Sequence, residues 1–389
     1  MKIACISPLT YTPGELEYFS FIRTGSGADY HQNPTFHVYP NGDLMMYWFA
    51  YDFDECSNNA VLLYSISKDS GITWSDPQVY MADYPGGVPY IRMLGLNGIS
   101  KALMFLIQTI MDELEIDDER RVATAGSDYF KSRTRVFLRR STDAGRSFDH
   151  GVEVPYLEIS GGKTLPEVGF YGAIDELIQL QNGRILASFM YLDPDRCDTD
   201  KQYQHYEAAC LLSDDGGEFW KRSNGQITVD TPRGVMETQI VETTPNNLFC
   251  LFRTKGGYLY ETRSEDGGDT WSESKPSPLP SPESMARMIK LKSGNLLVVW
   301  NSVSSTTQQP RHPMSASVSS DGGITWSQPR IIADESGTNQ LSNHGLVQLD
   351  NGRILLALSH YHDIRPMTSD IDIAIFDEEW ILREKTSSL

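Results

Sequence analysis

Five times along this chain an eight-residue pattern recurs: Ser, any residue, Asp, any residue, Gly, two further residues, then Trp or Phe. The copies begin at Ser67, Ser141, Ser213, Ser264 and Ser319 and end at Trp74, Phe148, Trp220, Trp271 and Trp326. Short Ser and Asp side chains bond nearby backbone N–H groups, and Gly supplies the positive φ of a tight turn. The closing aromatic residue starts a returning strand and packs its ring on the next unit. A rigid hairpin turn written five times requires five copies of one strand-turn-strand unit, so the chain is built from repeats.

A second pattern recurs upstream of the boxes and once more after the last: a turn such as Asn41-Gly42, Asn182-Gly183, Ser293-Gly294 or Asn351-Gly352, followed by a short apolar run. Weaker forms lie near Asn97-Gly98 and Pro245-Asn246. Each reads as a buried strand leaving a turn, which makes six units. The box aspartates at 69, 143, 215, 266 and 321 are roughly 50–75 residues apart, the period of propeller blades of several strands each. The expected fold is all-β, a six-bladed β-propeller over residues 1–389 as a single domain. Its sixth unit, which lacks a box, is expected to use Asp372–Phe376 and to close with Ile3–Ser7. One short helix is expected over Asp112–Val122.

Composition narrows the function classes. A net charge of −19 argues against nucleic acid, since phosphate neutralisation needs clustered Lys and Arg. An anionic ligand would be repelled at long range and would need a local concentration of arginines. No stretch approaches the roughly 20 apolar residues of a membrane span, and the first residues lack the pattern of a secretory leader. Five cysteines without close pairing argue against a disulfide scaffold and a zinc site. The expectation is a cytoplasmic protein with no membrane partner, no cofactor and no metal.

Five such boxes on a six-unit β chain resemble the sialidase superfamily, whose fold is a six-bladed propeller. The resemblance implies an active face away from the boxes. There, three arginines grip a carboxylate-bearing sugar, an Asp is the acid/base group, and a Glu activates a Tyr nucleophile. Position by position, "GVMETQIVETTPNNLFCLFR" resembles the strand pair bearing that Glu and the second Arg, which implies Glu237 and Arg253. Arg311, eight residues before Ser319, matches the third Arg. Counting twelve back from Ser67 gives Glu55 as the acid, with Asp54 and Asp52 as alternatives. Two places depart from the family. Gln32, with His31 beside it, stands where the first Arg belongs, and Asn343, with His344 beside it, stands where the Tyr belongs.

Two carboxylates suffice for ordinary glycoside hydrolysis. The leading expectation is an exo-acting glycoside hydrolase acting on a terminal, possibly acidic, sugar of an oligosaccharide or glycoconjugate. Glu55 or Asp54 would protonate the leaving oxygen, and Glu237 would serve as nucleophile or base. Arg253 and Arg311 would hold a carboxylate or hydroxyls, with Gln32, His31 and Asn343 near the sugar. An alternative is a lyase acting on a uronate, in which His31, His344, or the cluster Tyr203, His205 and Tyr206 abstracts a proton. A second alternative is a non-catalytic carbohydrate-binding propeller. Arg92, Tyr171 and Asp175, in segments that precede strands, are secondary candidates at the rim, and the box tryptophans are packing residues.

Overall fold

Alternating and continuous apolar runs become strands throughout, and the turn residues between them become hairpins. The computed structural model describes residues 10–51, 60–82, 88–96, 100–111, 115–117, 122–124, 132–162, 172–197, 204–364 and 367–383. Strands dominate; the helices among these residues are the short Tyr156–Ser160 and Glu378–Leu382. The protein is all-β.

Four sheets have four antiparallel strands each. Their first strands are Val88–Gly95, Gly172–Gln179, Met236–Thr244 and Arg287–Lys290. An eight-stranded sheet joins the two ends of the chain. Its C-terminal half runs Gln340–Gln348, Ile354–Ile364 and Met367–Phe376; its N-terminal half runs Tyr30–Val38, Leu44–Tyr51, Val61–Ser67 and Gln78–Ala82. The halves meet at a single parallel pair, Tyr30 with Ser369. Glu17–Ile22 pairs with Ile371–Ile375 further along the edge of Met367–Phe376 that Tyr30 meets, so this N-terminal segment also ties the two ends of the chain together. The expected closing strand Ile3–Ser7 lies outside the described residues.

Tyr30–Val38 lies beside Val88–Gly95, that strand beside Gly172–Gln179, and so on through Met236–Thr244, Arg287–Lys290 and Gln340–Gln348, which lies beside Tyr30–Val38 again. The core follows the same order. Phe105, Leu138, Phe189 and Leu211 fill the layer between two consecutive sheets, and Leu297, Val299, Leu356 and Phe376 fill another. Trp48, Leu44, Leu355 and Ile373 form the layer between the first and last units. Each large apolar side chain so buried contributes roughly 1.5–3 kcal/mol.

The boxes are latches between sheets. In the first, Ser67 donates its hydroxyl to Asp69 at 2.9 Å and accepts the N–H of Gly71 at 2.8 Å. Asp69 also accepts the N–H of Thr73, and the Trp74 indole donates to Gly71 O. The Ser–Asp and Gly–Ser bonds recur in the other four copies. Gly71 and Gly217 have φ of 87° and 92°; a Cβ on Gly71 would strike Leu355 in the C-terminal half of the eight-stranded sheet, and one on Gly217 would strike Leu103 of the preceding sheet. Only glycine allows both the turn and the close approach. Trp74, Trp220, Trp271 and Trp326 all pack on core layers, as expected.

One local expectation is corrected. Within Asp112–Val122 the described residues form no helix; Glu115–Asp117 pairs antiparallel with Val122–Thr124. Glu115-Ile116-Asp117 alternates polar and β-branched residues, and Val122-Ala123-Thr124 has β-branched residues at both ends, which suits a ribbon better than a helix.

Candidate functional site

Four first strands break their pairing at the same level. In Tyr30–Val38 the register shifts between Gln32 and Thr35, and in Gly172–Gln179 between Ile174 and Glu176. In Met236–Thr244 it shifts between Met236 and Gln239, and in Gln340–Gln348 between Ser342 and His344. The residues in these bulges include Asn33, Asp175, Glu237 and Asn343. Asn33, Glu237 and Asn343 take left-handed φ of 54°, 51° and 46°, each at a penalty of about 1–2 kcal/mol for a residue with a Cβ. Bulges re-aim side chains, and strain of this kind gathers where a site requires it.

Glu237 and Arg253 meet because Met236 is the register partner of Arg253 and the bulge directs Glu237 toward it. Arg253 Nη1 donates to both Glu237 oxygens, at 3.1 and 3.2 Å. Behind it lies Glu283, whose side chain is 0% exposed. Arg253 Nη2 approaches its Oε1 at 3.4 Å, Arg233 Nη1 donates to that oxygen at 2.5 Å, and Lys255 Nζ is 3.4 Å from Oε2. Arg311 Nη2 donates to Glu283 O at 3.2 Å, and its Nη1 donates to Ser342 Oγ at 3.2 Å. The structure thus brings Glu237, Arg253, Arg311 and the neighbourhood of Asn343 into one network. Four cations against two carboxylates give it a local positive excess inside a strongly acidic chain.

Two electrostatically coupled carboxyls, Glu237 and Asp175, are driven in opposite directions. Burial tends to raise the pKa of Glu237, but Arg253, Arg311 and Arg287 overcome that and hold it below the usual range. Asp175 is buried among fewer compensating charges; burial first, then the Glu237 charge, push it up to about 8 despite two hydrogen bonds from Thr238. Glu237 is therefore ionised at neutral pH and Asp175 protonated. Such separation is what acid–base chemistry uses.

The remaining candidates divide by place. Gln32 is buried and accepts the Tyr51 hydroxyl. Asn343 donates through Nδ2 to the Tyr361 hydroxyl at 2.6 Å. His31 and His344 are both buried. Trp48 Nε1 donates to His31 Nδ1 at 3.2 Å, and His344 Nε2 lies 3.0 Å from Val299 O. Burial lowers their pKa values to about 4 and about 3. Both rings are neutral and enclosed. His205 is buried beside Gly234, and Tyr206 O accepts the Val235 N–H on the approach to Glu237. Arg92 lies deeper, donating to Thr35 Oγ1 and Asp175 O. Glu55, Asp54, Asp52, Tyr203 and Tyr171 lie outside the described residues.

Several groups were not evident from sequence: Glu283, Arg233, Lys255, Arg287 and Tyr361. Glu283 sits in a Ser/Pro segment that reads as a loop. Arg287 was visible only as a charge interrupting an apolar first strand. Among the described residues no group of three or more His, Cys, Asp or Glu side chains is placed to hold a metal.

The BNR repeat-like domain family matches residues 121–355. A sialidase of Bacteroides fragilis strain YCH46 is 28% identical over 216 residues, 53% of this chain and 36% of that protein. The chain therefore spans little more than a third of that relative. Among solved structures, the NanB sialidase of Streptococcus pneumoniae aligns with a TM-score of 0.67 at 15% identity, over 93% of this chain and 70% of its own. A protein of unknown function from Dyadobacter fermentans DSM 18053 aligns with a TM-score of 0.69 at 20% identity, over 94% of this chain and 100% of its own. At these identities the structural likeness is one of fold.

Proposed function

Since this chain belongs to the BNR repeat-like domain family, within the sialidase superfamily, we propose that it is an exo-acting glycoside hydrolase for a terminal acidic sugar. We further infer that its sheets are the six blades of one propeller, with the eight-stranded sheet supplying the first and last. Support for the propeller comes from the circular order of first strands and core layers. Support for the activity comes above all from one contact: Glu237 is held ionised by Arg253 on a strained bulge, and its side chain remains 26% exposed.

In the proposed reaction Arg253 and Arg311 receive the carboxylate of the sugar. Arg253 Nη1 is engaged with Glu237 beforehand, so a substrate carboxylate that takes this donor releases Glu237 for its task. Glu237 then attacks the anomeric carbon or takes a proton from water, and Glu55 or Asp54 protonates the leaving oxygen. Asp175, protonated beside Glu237, keeps a second negative charge away from the reacting carboxylate. Gln32 with Tyr51 and Asn343 with Tyr361 offer uncharged hydrogen-bonding groups to sugar hydroxyls. The two departures from the family pattern leave two arginines in the clamp and no phenol at position 343. The two-carboxylate route requires neither.

The test is a panel of aryl glycosides of acidic sugars and their uncharged counterparts. The proposal expects release from at least one acidic glycoside and at least about tenfold lower kcat on its uncharged counterpart, because the latter does not free Glu237. Arg311→Met should raise KM on the acidic glycoside alone. Turnover of neutral glycosides only, or of none, would overturn it.

A further inference from the structure

A cavity of about 400 Å³ lies among the first strands, apart from the Glu237 clamp; Glu237, Arg253 and Arg311 do not line it. Exposed Lys290 and Gln181 mark its mouth, and buried Arg92 and Arg287 lie deep in it. Two buried guanidiniums in one cavity need an account. Arg92 donates to Thr35 Oγ1, Ile91 O and Asp175 O and lies on the ring of Tyr90, 4.6 Å from its centroid. Arg287 donates to His344 O, Gln239 Oε1 and the same Asp175 O. All these acceptors are uncharged, and neither arginine has an ion-pair partner among the described residues. Each donates through Nε and Nη1, and Arg92 also bonds the uncharged Tyr47 hydroxyl. Unpaired buried charge of this kind is expensive unless something neutralises it.

Glu176 also lines the cavity, yet it is not the counter-ion in contact. Its Oε1 accepts the N–H of Leu177 at 3.3 Å, and neither arginine comes within ion-pair distance of it. Burial raises the pKa of Glu176 while the charges of Arg287 and Arg92 lower it; in the ionised form that the two arginines favour, two donor-only groups and one acceptor-only group surround the same space, with a net positive charge. Chloride would meet the arginines and leave Glu176 without a donor. A fully deprotonated oxyanion such as sulfate would meet Glu176 only as repulsion. An oxyanion that keeps one proton satisfies all three.

We propose that this cavity is a binding site for an inorganic oxyanion of the hydrogen phosphate class, held between Arg92 and Arg287 and donating its remaining hydroxyl to Glu176. The ligand is separate from the sugar substrate. It would hold the two arginines that share the Asp175 carbonyl, and the Asp175 carboxyl bonds Thr238, so its presence would stiffen the floor beneath Glu237.

Isothermal titration of the full chain with inorganic phosphate and with sulfate, at neutral pH and matched ionic strength, tests this directly. The expected result is one saturable phosphate site, at least about tenfold tighter than sulfate. Glu176→Gln should bring the two anions to within about threefold of each other, and Arg287→Met should weaken phosphate at least about tenfold. The comparison on the native chain needs no variant to fold. No saturable phosphate binding, equal binding of the two anions, or affinity unchanged in folded Arg287→Met would each overturn the site.

Discussion

Thr238 donates both its backbone N–H and its hydroxyl to one oxygen of Asp175, each at 3.0 Å, and Thr238 directly follows Glu237 in the chain. Two carboxyls from neighbouring first strands are therefore fixed to each other through one residue, one ionised and one protonated. Much of the proposed chemistry follows from that arrangement.

Asp175 titrates near 8 in the folded protein, whereas a carboxylate in the unfolded chain titrates near 4. A raised folded value means that stability is fully present below about pH 4 and is lost as pH rises toward 8. Asp175→Asn should therefore be more stable than the native chain at neutral pH, with the difference vanishing below about pH 4. Urea unfolding of both proteins at three pH values measures it. The hydrolysis rate of the native chain should also fall as pH climbs through about 8, because ionised Asp175 repels Glu237.

Glu283 is enclosed and faces Arg253, Arg233 and Lys255. Glu283→Ala leaves three cations without their common partner, and it should destabilise the protein by about 3–5 kcal/mol. Chemical denaturation measures the loss. In whatever fraction folds, Arg253 should release Glu237 less reproducibly, and kcat should drop alongside stability.

Gly234 introduces the strand that carries Glu237. It has φ of +68°, and an added Cβ would strike the carbonyl oxygen of Tyr206 and the ring of His205. Gly234→Ala should cost clearly more than the roughly 1 kcal/mol of a left-handed alanine alone. Gly25 has φ of +81° and nothing within 4 Å, so Gly25→Ala is the matched control. Paired thermal melts separate the steric part from the conformational part.

The box aspartates accept local hydroxyl and N–H donors, and their pKa values are depressed. Asp321 falls to about 2 through bonds from Thr325 and Ser319. A depressed folded value gives stability that is present above pH 4 and lost as pH falls through the folded pKa. Acid unfolding should accordingly begin below about pH 4. Asp321→Asn should flatten that limb, read by circular dichroism from pH 2 to 6.

The all-β, hairpin-built fold was legible because its information is local and repeated. Ser319, Asp321, Gly323 and Trp326 determine one turn among themselves, and four other copies say the same thing. The meeting of Glu237 and Arg253 was legible through a resemblance, to a strand pair carrying a Glu and an Arg sixteen residues apart, and the hairpin with its bulge brings the two side chains into contact. Glu283 was not, since its burial depends on Arg233, Arg253 and Lys255 converging from separate segments, and nothing in "SPESM" encodes that. Tyr361 was hidden likewise. Position 343 carries Asn, and the phenol bonded to it comes from the neighbouring strand of the same sheet. The helix expected over Asp112–Val122 failed because charge alternation was weighed above the β-branched residues that make the Glu115–Asp117 and Val122–Thr124 ribbon.

The measurement closest to the centre is the turnover of Glu237→Gln on the acidic aryl glycoside cleaved best by the native chain, with folding verified by circular dichroism. An amide keeps the shape but neither attacks carbon nor removes a proton. The expected result is a kcat lower by at least about 100-fold, with KM changed little. A variant that turns over at the native rate would contradict the assignment of Glu237 as the reacting carboxylate.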